Sequence, residues 1–132
     1  MNRKIKFRGY NYQYKKWFYG SLFIQNYDND FMLSSSRTAI IDDRGFSVMV
    51  DNDTIGQYTG SKDKNGVEIY EGDKVKAKFY GKEVVGEIGF SDGCFLLWNS
   101  CVSDNQLFIF TDIEVIGNIY EGEVEDNANI TN

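Results

Sequence analysis

Apolar and polar residues alternate with a period of two in the clearest segments of the chain, the pattern of a half-buried β-strand. In Lys74–Tyr80, three apolar residues, Val75, Ala77 and Phe79, alternate with three lysines. Ile5–Tyr10 has a similar pattern, with apolar residues at 5 and 7 and basic residues at 4, 6 and 8. We therefore predict a strand at both places, with the lysines of the first segment facing solvent.

Seven further apolar segments have the length of strands, and Gly, Asp or Asn turn residues separate most of them. They are Trp17–Ile24, Phe46–Val50, Thr54–Gly60, Val84–Phe90, Cys94–Trp98, Leu107–Phe110 and Asp112–Tyr120. The first of them is predicted to form a hairpin with Ile5–Tyr10. Residues 27–38 are polar and serine-rich, which favours an irregular connection.

The C-terminal half has the pattern of a small β-barrel. From about residue 67, short strands follow each other closely and are joined by Gly and Asp turns, which is typical of a five-stranded barrel. Ile69–Val75 resembles the entry to SH3-like barrels, in which an apolar anchor leads through a Gly-Asp bend into the first long strand. The predicted fold class is mostly β, with an SH3-like barrel in the C-terminal part and an N-terminal subdomain that contains a β-hairpin.

The same pattern predicts the domain organisation. We expect residues 1–60 to form an N-terminal β subdomain packed on the barrel, and residues 61–120 to form the barrel. Residues 121–132 are acidic and polar, with little to bury, so a disordered tail is expected there. Structural roles in turns and bends are predicted for five residues: Gly56, Gly60, Gly66, Gly72 and Asp73.

Composition supports the β assignment and removes several kinds of chemistry. The 132 residues include 13 glycines and no proline, and alanine, the best helix former, is rare. There is no histidine, which excludes Ser-His-Asp and Cys-His nucleophiles and ordinary zinc sites. Cys94 and Cys101 could face each other across a hairpin, but one buried thiol and one loop thiol are favoured. We expect no catalytic residue, no metal site and no cofactor.

The chain lacks an apolar run long enough to span a membrane, and no apolar segment typical of a secretory signal follows its basic start. We therefore expect no membrane association and a location in the cytoplasm.

The charge is unevenly distributed. The net charge is −6, yet residues 1–27 contain six basic residues, several aromatic ones and no acid. Cations beside exposed rings can bind single-stranded nucleic acid, so nucleic acid or another partner is expected to contact this segment. The candidate contact residues are Arg3, Lys4, Lys6, Arg8, Lys15, Lys16 and Trp17. The alternative, that this segment lies against acidic strands of its own or a neighbouring copy, is favoured because the whole chain is negative.

Two other charged groups allow two interpretations each. The carboxylates Asp42, Asp43, Asp51 and Asp53 could bind Mg²⁺ or act as an acid/base pair, but acids in turns more often cap backbone N–H groups. The row Lys74, Lys76, Lys78 and Lys82 could follow a phosphate backbone, but a solvated face that prevents edge-to-edge aggregation is favoured.

Three blocks of the sequence, Ile5–Arg8, Ile55–Val75 and Glu114–Glu121, resemble the YopX family, whose members are small proteins of bacteriophages and prophages. The resemblance implies a mostly-β fold with an SH3-like barrel in the C-terminal part, and a host-bacterial cytoplasm as the place of action. It implies no established biochemical function and provides no catalytic residues. We therefore expect a binding module for an unknown phage or host protein. The alternatives are a nucleic-acid-binding module, a carboxylate- and Mg²⁺-dependent enzyme and a self-assembling homo-oligomer.

Overall fold

A computed structural model of the chain describes residues 1–26, 36–99 and 105–121. Within these ranges the chain forms eleven strands and two 3-10 turns, Asn52–Thr54 and Leu107–Ile109. The strands are β1 (Phe7–Asn11), β2 (Lys16–Asn26), β3 (Ser36–Ile41), β4 (Ser47–Met49), β5 (Gly56–Lys62), β6 (Glu68–Tyr70), β7 (Asp73–Phe79), β8 (Lys82–Ser91), β9 (Cys94–Trp98), β10 (Asn105–Gln106) and β11 (Thr111–Asn118). The prediction of a mostly-β protein is confirmed.

The strands form two antiparallel sheets with the orders β4-β3-β2-β1-β5-β6 and β10-β9-β8-β7-β11. The chain also divides into two compact units. The N-terminal unit consists of Lys4–Gln57, and the C-terminal unit begins at Tyr58 and includes Met1–Arg3. The predictions for Cys101, for most of the connection at 27–38 and for the tail after residue 121 concern residues outside the described ranges.

The N-terminal unit is built on the predicted hairpin, which is confirmed: β1 pairs with β2, and Tyr10 lies opposite Trp17. Next along the sheet, β2 pairs with β3 and β3 with β4. The fully buried Thr54 joins the 3-10 turn to β1, since its hydroxyl accepts from the Tyr10 N–H at 2.8 Å and donates to the Asp51 carbonyl at 2.7 Å. The buried apolar residues of this unit are Tyr10, Ala39, Ile40 and Val50.

Burial along the first strand does not follow the predicted alternation. Ile5 is 43% exposed, whereas Arg8 and Tyr10 are buried. Tyr10 packs edge-on against the Trp17 ring at 5.3 Å between centroids. The Arg8 guanidinium, on the same face of the strand, lies 4.8 Å from the centre of that ring. Gly9, on the opposite face of the strand, is buried as well, so both faces of β1 are covered and the basic Arg8 side chain is buried against the indole.

In the C-terminal unit, β7 lies between β8 and β11, and the predicted alternation along it is confirmed. Val75 and Ala77 are buried, while Lys74 and Lys78 are exposed and Lys76 is half-buried. The core of this unit consists of Ile69, Val75, Ala77, Ile88, Leu97, Leu107 and Phe110.

The five-stranded sheet does not close into a barrel over the residues that the structure describes. Its order leaves β10 and β11 at opposite edges, and they do not pair with each other there. The coarser part of the fold prediction, a β-rich C-terminal half, is confirmed, and the specific assignment to an SH3-like barrel is not.

The predicted strand at Leu107–Phe110 is wrong, because a 3-10 turn occupies Leu107–Ile109. Leu107 and Phe110 are both buried, whereas Phe108 between them is 80% exposed. Residues three apart share one face of a 3-10 turn, while a strand would have placed Leu107 and Ile109 on one side. Burial of two residues at this spacing therefore favours the turn.

A tight bend precedes β7. Gly72 has a φ of 89°, in the left-handed region that favours glycine. Its N–H donates to the Ile88 carbonyl and its carbonyl accepts from the Ile119 N–H, both at 2.8 Å. The buried Asp73 carboxylate accepts from the Tyr70 N–H at 2.8 Å.

Over the described ranges, the chain has no helix with the length and apolar character that a membrane span needs.

Candidate functional site

The structure separates the seven predicted contact residues into accessible and covered ones. Arg8 is buried, and Lys6 and Trp17 are half-buried. The Arg8 guanidinium lies over one face of the Trp17 ring, so this face is not available for a base to stack on. The four exposed residues are Arg3, Lys4, Lys15 and Lys16.

The end of the β1–β2 hairpin brings together one of these cations and two rings. The Lys16 ammonium lies 5.6 Å from the centre of the Phe18 ring, and Tyr14 contacts the same ring edge-on at 6.1 Å. Asn11 fixes the turn by accepting from the Tyr14 N–H at 2.8 Å. Tyr14 is 64% exposed, so this hairpin end offers one accessible ring rather than a series of stacking rings.

Two of the four predicted carboxylates, Asp42 and Asp51, cap backbone N–H groups of turns. Asp42 accepts from the N–H groups of Arg44 and Phe46, both at 3.0 Å, and pairs with the Arg44 guanidinium at 3.1 Å. Burial raises the pKa of Asp42, but hydrogen bonds from Phe46 and Arg44 outweigh it and leave the pKa below its ordinary value. Asp51 caps the 3-10 turn by accepting from the Asp53 N–H. Across the described part of the chain, no three His, Cys, Asp or Glu residues are grouped so that they could hold a metal ion.

The predicted lysine row is partly paired with carboxylates of the neighbouring strand. Lys76 lies 3.8 Å from Glu114, and Lys78 lies 3.5 Å from Asp112. Lys64 also pairs with Glu114, at 3.2 Å. A phosphate would have to compete with these carboxylates, so the row is poorly suited to binding a nucleic-acid backbone.

A different surface of the C-terminal unit has the shape and chemistry of a binding site. It is a groove of about 450 Å³ beside the 3-10 turn, and we call it the aromatic groove. Its apolar wall consists of Cys94, Phe95, Leu107, Phe108, Phe110 and Ile113. Its polar wall consists of Thr59, Ser61, Lys62 and Gln106.

The apolar wall is fixed by packing below it. Leu107 and Phe110 are buried in the core, which leaves Phe108 between them pointing outward with 80% of its surface exposed. The Phe110 ring rests on Phe79 at 5.3 Å, and Phe95 contacts Phe90 at 5.1 Å. The groove therefore offers an exposed ring on a rigid support.

The polar wall comes from the end of β5, where the chain departs from regular pairing. The β5–β6 register shifts between Tyr58 and Lys62, and Gly60 has a φ of 89°. Such an irregularity redirects side chains. The turn that follows is tied to the other side of the groove, because the Lys64 N–H donates to the Ile113 carbonyl at 2.9 Å.

The buried Asp63 strengthens this connection. Its carboxylate accepts from the N–H groups of Asn65 at 2.8 Å and of Val67 and Val115 at 2.9 Å each. Burial by itself raises the pKa of Asp63, but these three bonds, with Val115 first, outweigh it and lower the pKa below its ordinary value of 3.8. The ionised carboxylate thereby holds the two sides of the groove in place.

Sequence analysis did not identify the aromatic groove. Its residues come from three separate segments, 59–62, 94–95 and 106–113, and the apolar run that contains Phe108 does not distinguish this residue from its neighbours. Because all four residues of 107–110 are apolar, the sequence carries no signal that Phe108 is the exposed one.

Comparison with known proteins places the chain in context. A family model described as YopX protein matches residues 6–123. The crystal structure of protein EF1440 from Enterococcus faecalis is similar, with a TM-score of 0.53 and 29% sequence identity, covering 92% of this chain and 97% of that one. No curated protein sequence matches the chain.

Proposed function

Since the chain belongs to the YopX family, for which a binding role is our expectation, we propose that it is a binding module whose aromatic groove takes a peptide segment of a phage or host-bacterial protein in the cytoplasm. The observation that carries this proposal is Phe108, a large apolar side chain with 80% of its surface in water.

Covering Phe108 would provide a substantial part of the binding free energy. Complete burial of a Phe side chain contributes about 1.5–3 kcal/mol. The backbone at Phe108 is held by the buried residues Leu107 and Phe110, so little backbone order has to be acquired when a ligand binds. The groove volume of about 450 Å³ also lies in the range typical of ligand sites.

A nucleic-acid role for the basic N-terminal segment is less well supported. The Arg8 side chain is buried against Trp17, and the chain as a whole carries a charge of −6. Were this segment to bind single-stranded DNA, affinity would fall steeply with salt, and replacing Lys4, Lys6, Lys15 and Lys16 by Ala would reduce that slope. We expect no such salt-dependent binding.

We also propose that the C-terminal unit is an SH3-like fold with an open side. Two features support this assignment. The strands β7, β8, β9 and β10 form a meander, and β11 follows the second 3-10 turn and returns to pair with β7.

Selection from a random-peptide display library tests the function. The wild type should enrich peptides that share apolar residues, and Phe108→Ser should lose them. Tyr80→Ser is the matched control, since Tyr80 is an 87% exposed aromatic residue of the same unit outside the aromatic groove. Peptides that bind Phe108→Ser as well as the wild type, or no enrichment at all, would contradict the proposal.

A further inference from the structure

We infer that the aromatic groove takes a proline-rich segment of a different protein, in the polyproline II conformation. This inference rests on the proposed function and names the chemistry of the ligand. Two features of the described residues support it, the donors of the polar wall and the exposed rings of the apolar wall, and the absence of proline from the chain bears on where such a ligand comes from.

The polar wall is suited to a ligand that presents hydrogen-bond acceptors. Ser61, Lys62 and Gln106 all have exposed side chains with N–H or O–H donors, and the described lining of the groove contains no carboxylate. A polyproline II segment has no internal hydrogen bonds, so its carbonyl groups are available as acceptors. Its proline nitrogens have no N–H, so they require no acceptor from the groove.

The apolar wall is suited to the flat side chains of such a segment. Phe108 is 80% exposed and Phe95 is half-buried, so both rings present surface along the groove. Proline-rich segments characteristically dock into aromatic-lined grooves, because their extended conformation exists before binding and little entropy is lost.

The absence of proline from the chain identifies the origin of the ligand. The chain contains 132 residues and none of them is proline. Neither another segment of this chain nor a second copy can therefore supply a proline-rich ligand. The occupant has to be a different protein, so this binding does not amount to self-association.

Fluorescence anisotropy with two labelled peptides of equal length and charge tests the inference, one proline-rich and the other with every proline replaced by alanine. The proline peptide should bind the wild type at least about tenfold more tightly than its counterpart. Phe108→Ser and Lys62→Met should both weaken it, whereas Tyr80→Ser and Lys82→Met, with changes outside the groove, should not. Urea unfolding of each variant shows that it is folded.

The outcomes separate the two proposals. If both peptides bind equally and Phe108→Ser weakens both, the groove binds apolar segments without a preference for proline, and the inference is overturned while the proposed function stands. If neither peptide binds, and the library selection also yields no ligand that depends on Phe108, the inference and the proposed function both fail.

Discussion

The carboxylate of Asp63 accepts a hydrogen bond of 2.9 Å from the backbone N–H of Val115, a residue 52 positions further along the chain. The same side chain also accepts from Asn65 and Val67, so one buried group organises a turn and anchors it to β11. The polar and apolar walls of the aromatic groove are joined at this point. Stability and ligand binding should therefore both depend on Asp63.

Replacing Asp63 by Asn should lower the free energy of unfolding by about 1–3 kcal/mol. The amide has one oxygen, which can accept from Asn65 and Val67, but its NH₂ group would then face the Val115 N–H, donor against donor. Urea denaturation measures the loss. Asp92→Asn is the control, because Asp92 is exposed and should tolerate the change. Equal stability of the two variants would contradict the structural role assigned to Asp63.

The lowered pKa of Asp63 makes stability dependent on pH. A carboxyl group whose pKa is lower in the folded chain than in the unfolded one stabilises the fold above its ordinary pKa of 3.8, and this contribution is lost as the pH falls through the lower folded value. Wild-type stability should thus decrease on acidification below about pH 4. Asp63→Asn should lose less stability over that range, and Asp42, with a pKa shifted in the same direction, should provide the remainder. Urea titrations at several acidic pH values test this, and an identical acid dependence of both proteins would refute it.

Alanine substitutions at Gly72 and Gly81 distinguish the cost of backbone strain from that of steric overlap. Both have positive φ values, 89° and 81°, so alanine at either position should cost about 1–2 kcal/mol. A Cβ at Gly72 would additionally lie 2.8 Å from the Tyr120 ring, whereas one at Gly81 would meet nothing within 4 Å. Gly72→Ala should therefore have the lower thermal midpoint of the two. The opposite order would show that Tyr120 does not restrict this position.

Burial of Arg8 predicts that this cation stabilises the fold. Arg8→Ala removes the guanidinium from the Trp17 ring and should cost about 1–2 kcal/mol. Lys4→Ala, at an exposed position, should stay within about 0.5 kcal/mol of the wild type. Chemical denaturation, monitored by Trp fluorescence, measures the free energy of unfolding of both variants. A stable Arg8→Ala protein would return this residue to the set of candidate surface contacts.

Two phenylalanines two positions apart should respond very differently to truncation. Phe110 is 5% exposed and belongs to the core, so Phe110→Ala should cost about 3–5 kcal/mol. Phe108 is 80% exposed, so Phe108→Ser should change stability by less than about 0.5 kcal/mol. Urea denaturation gives the free energy of unfolding of Phe110→Ala and of Phe108→Ser for comparison. Similar losses in the two variants would contradict the 3-10 turn.

The local sequence pattern was sufficient to predict a strand and its buried face where polar and apolar residues alternate strictly. Along β7 the lysines cannot be buried without partners, so Val75 and Ala77 necessarily face inward. The strand Cys94–Trp98 was predicted with the bounds that it has in the structure. The hairpin of β1 with β2 followed from two apolar segments with a polar turn between them.

The local sequence pattern failed to predict which residues are buried where contacts with other segments of the chain decide it. The basic and apolar residues of β1 predicted Arg8 outside, but Arg8 is buried against Trp17. At residues 107–110 every residue is apolar, so the sequence could not show which of them the core would bury. The aromatic groove combines residues from 59–62, 94–95 and 106–113, and no single segment of the chain carries its signature.

The sequence by itself determined the β-rich composition, the family and the strands in which charge and hydrophobicity alternate, because these depend on interactions between near neighbours. The tertiary structure decided that Arg8 is buried, that residues 107–109 form a turn and that Phe108 is exposed at the edge of a groove. These features depend on which distant side chains compete for the same interior space, and that competition is settled only when the whole unit packs.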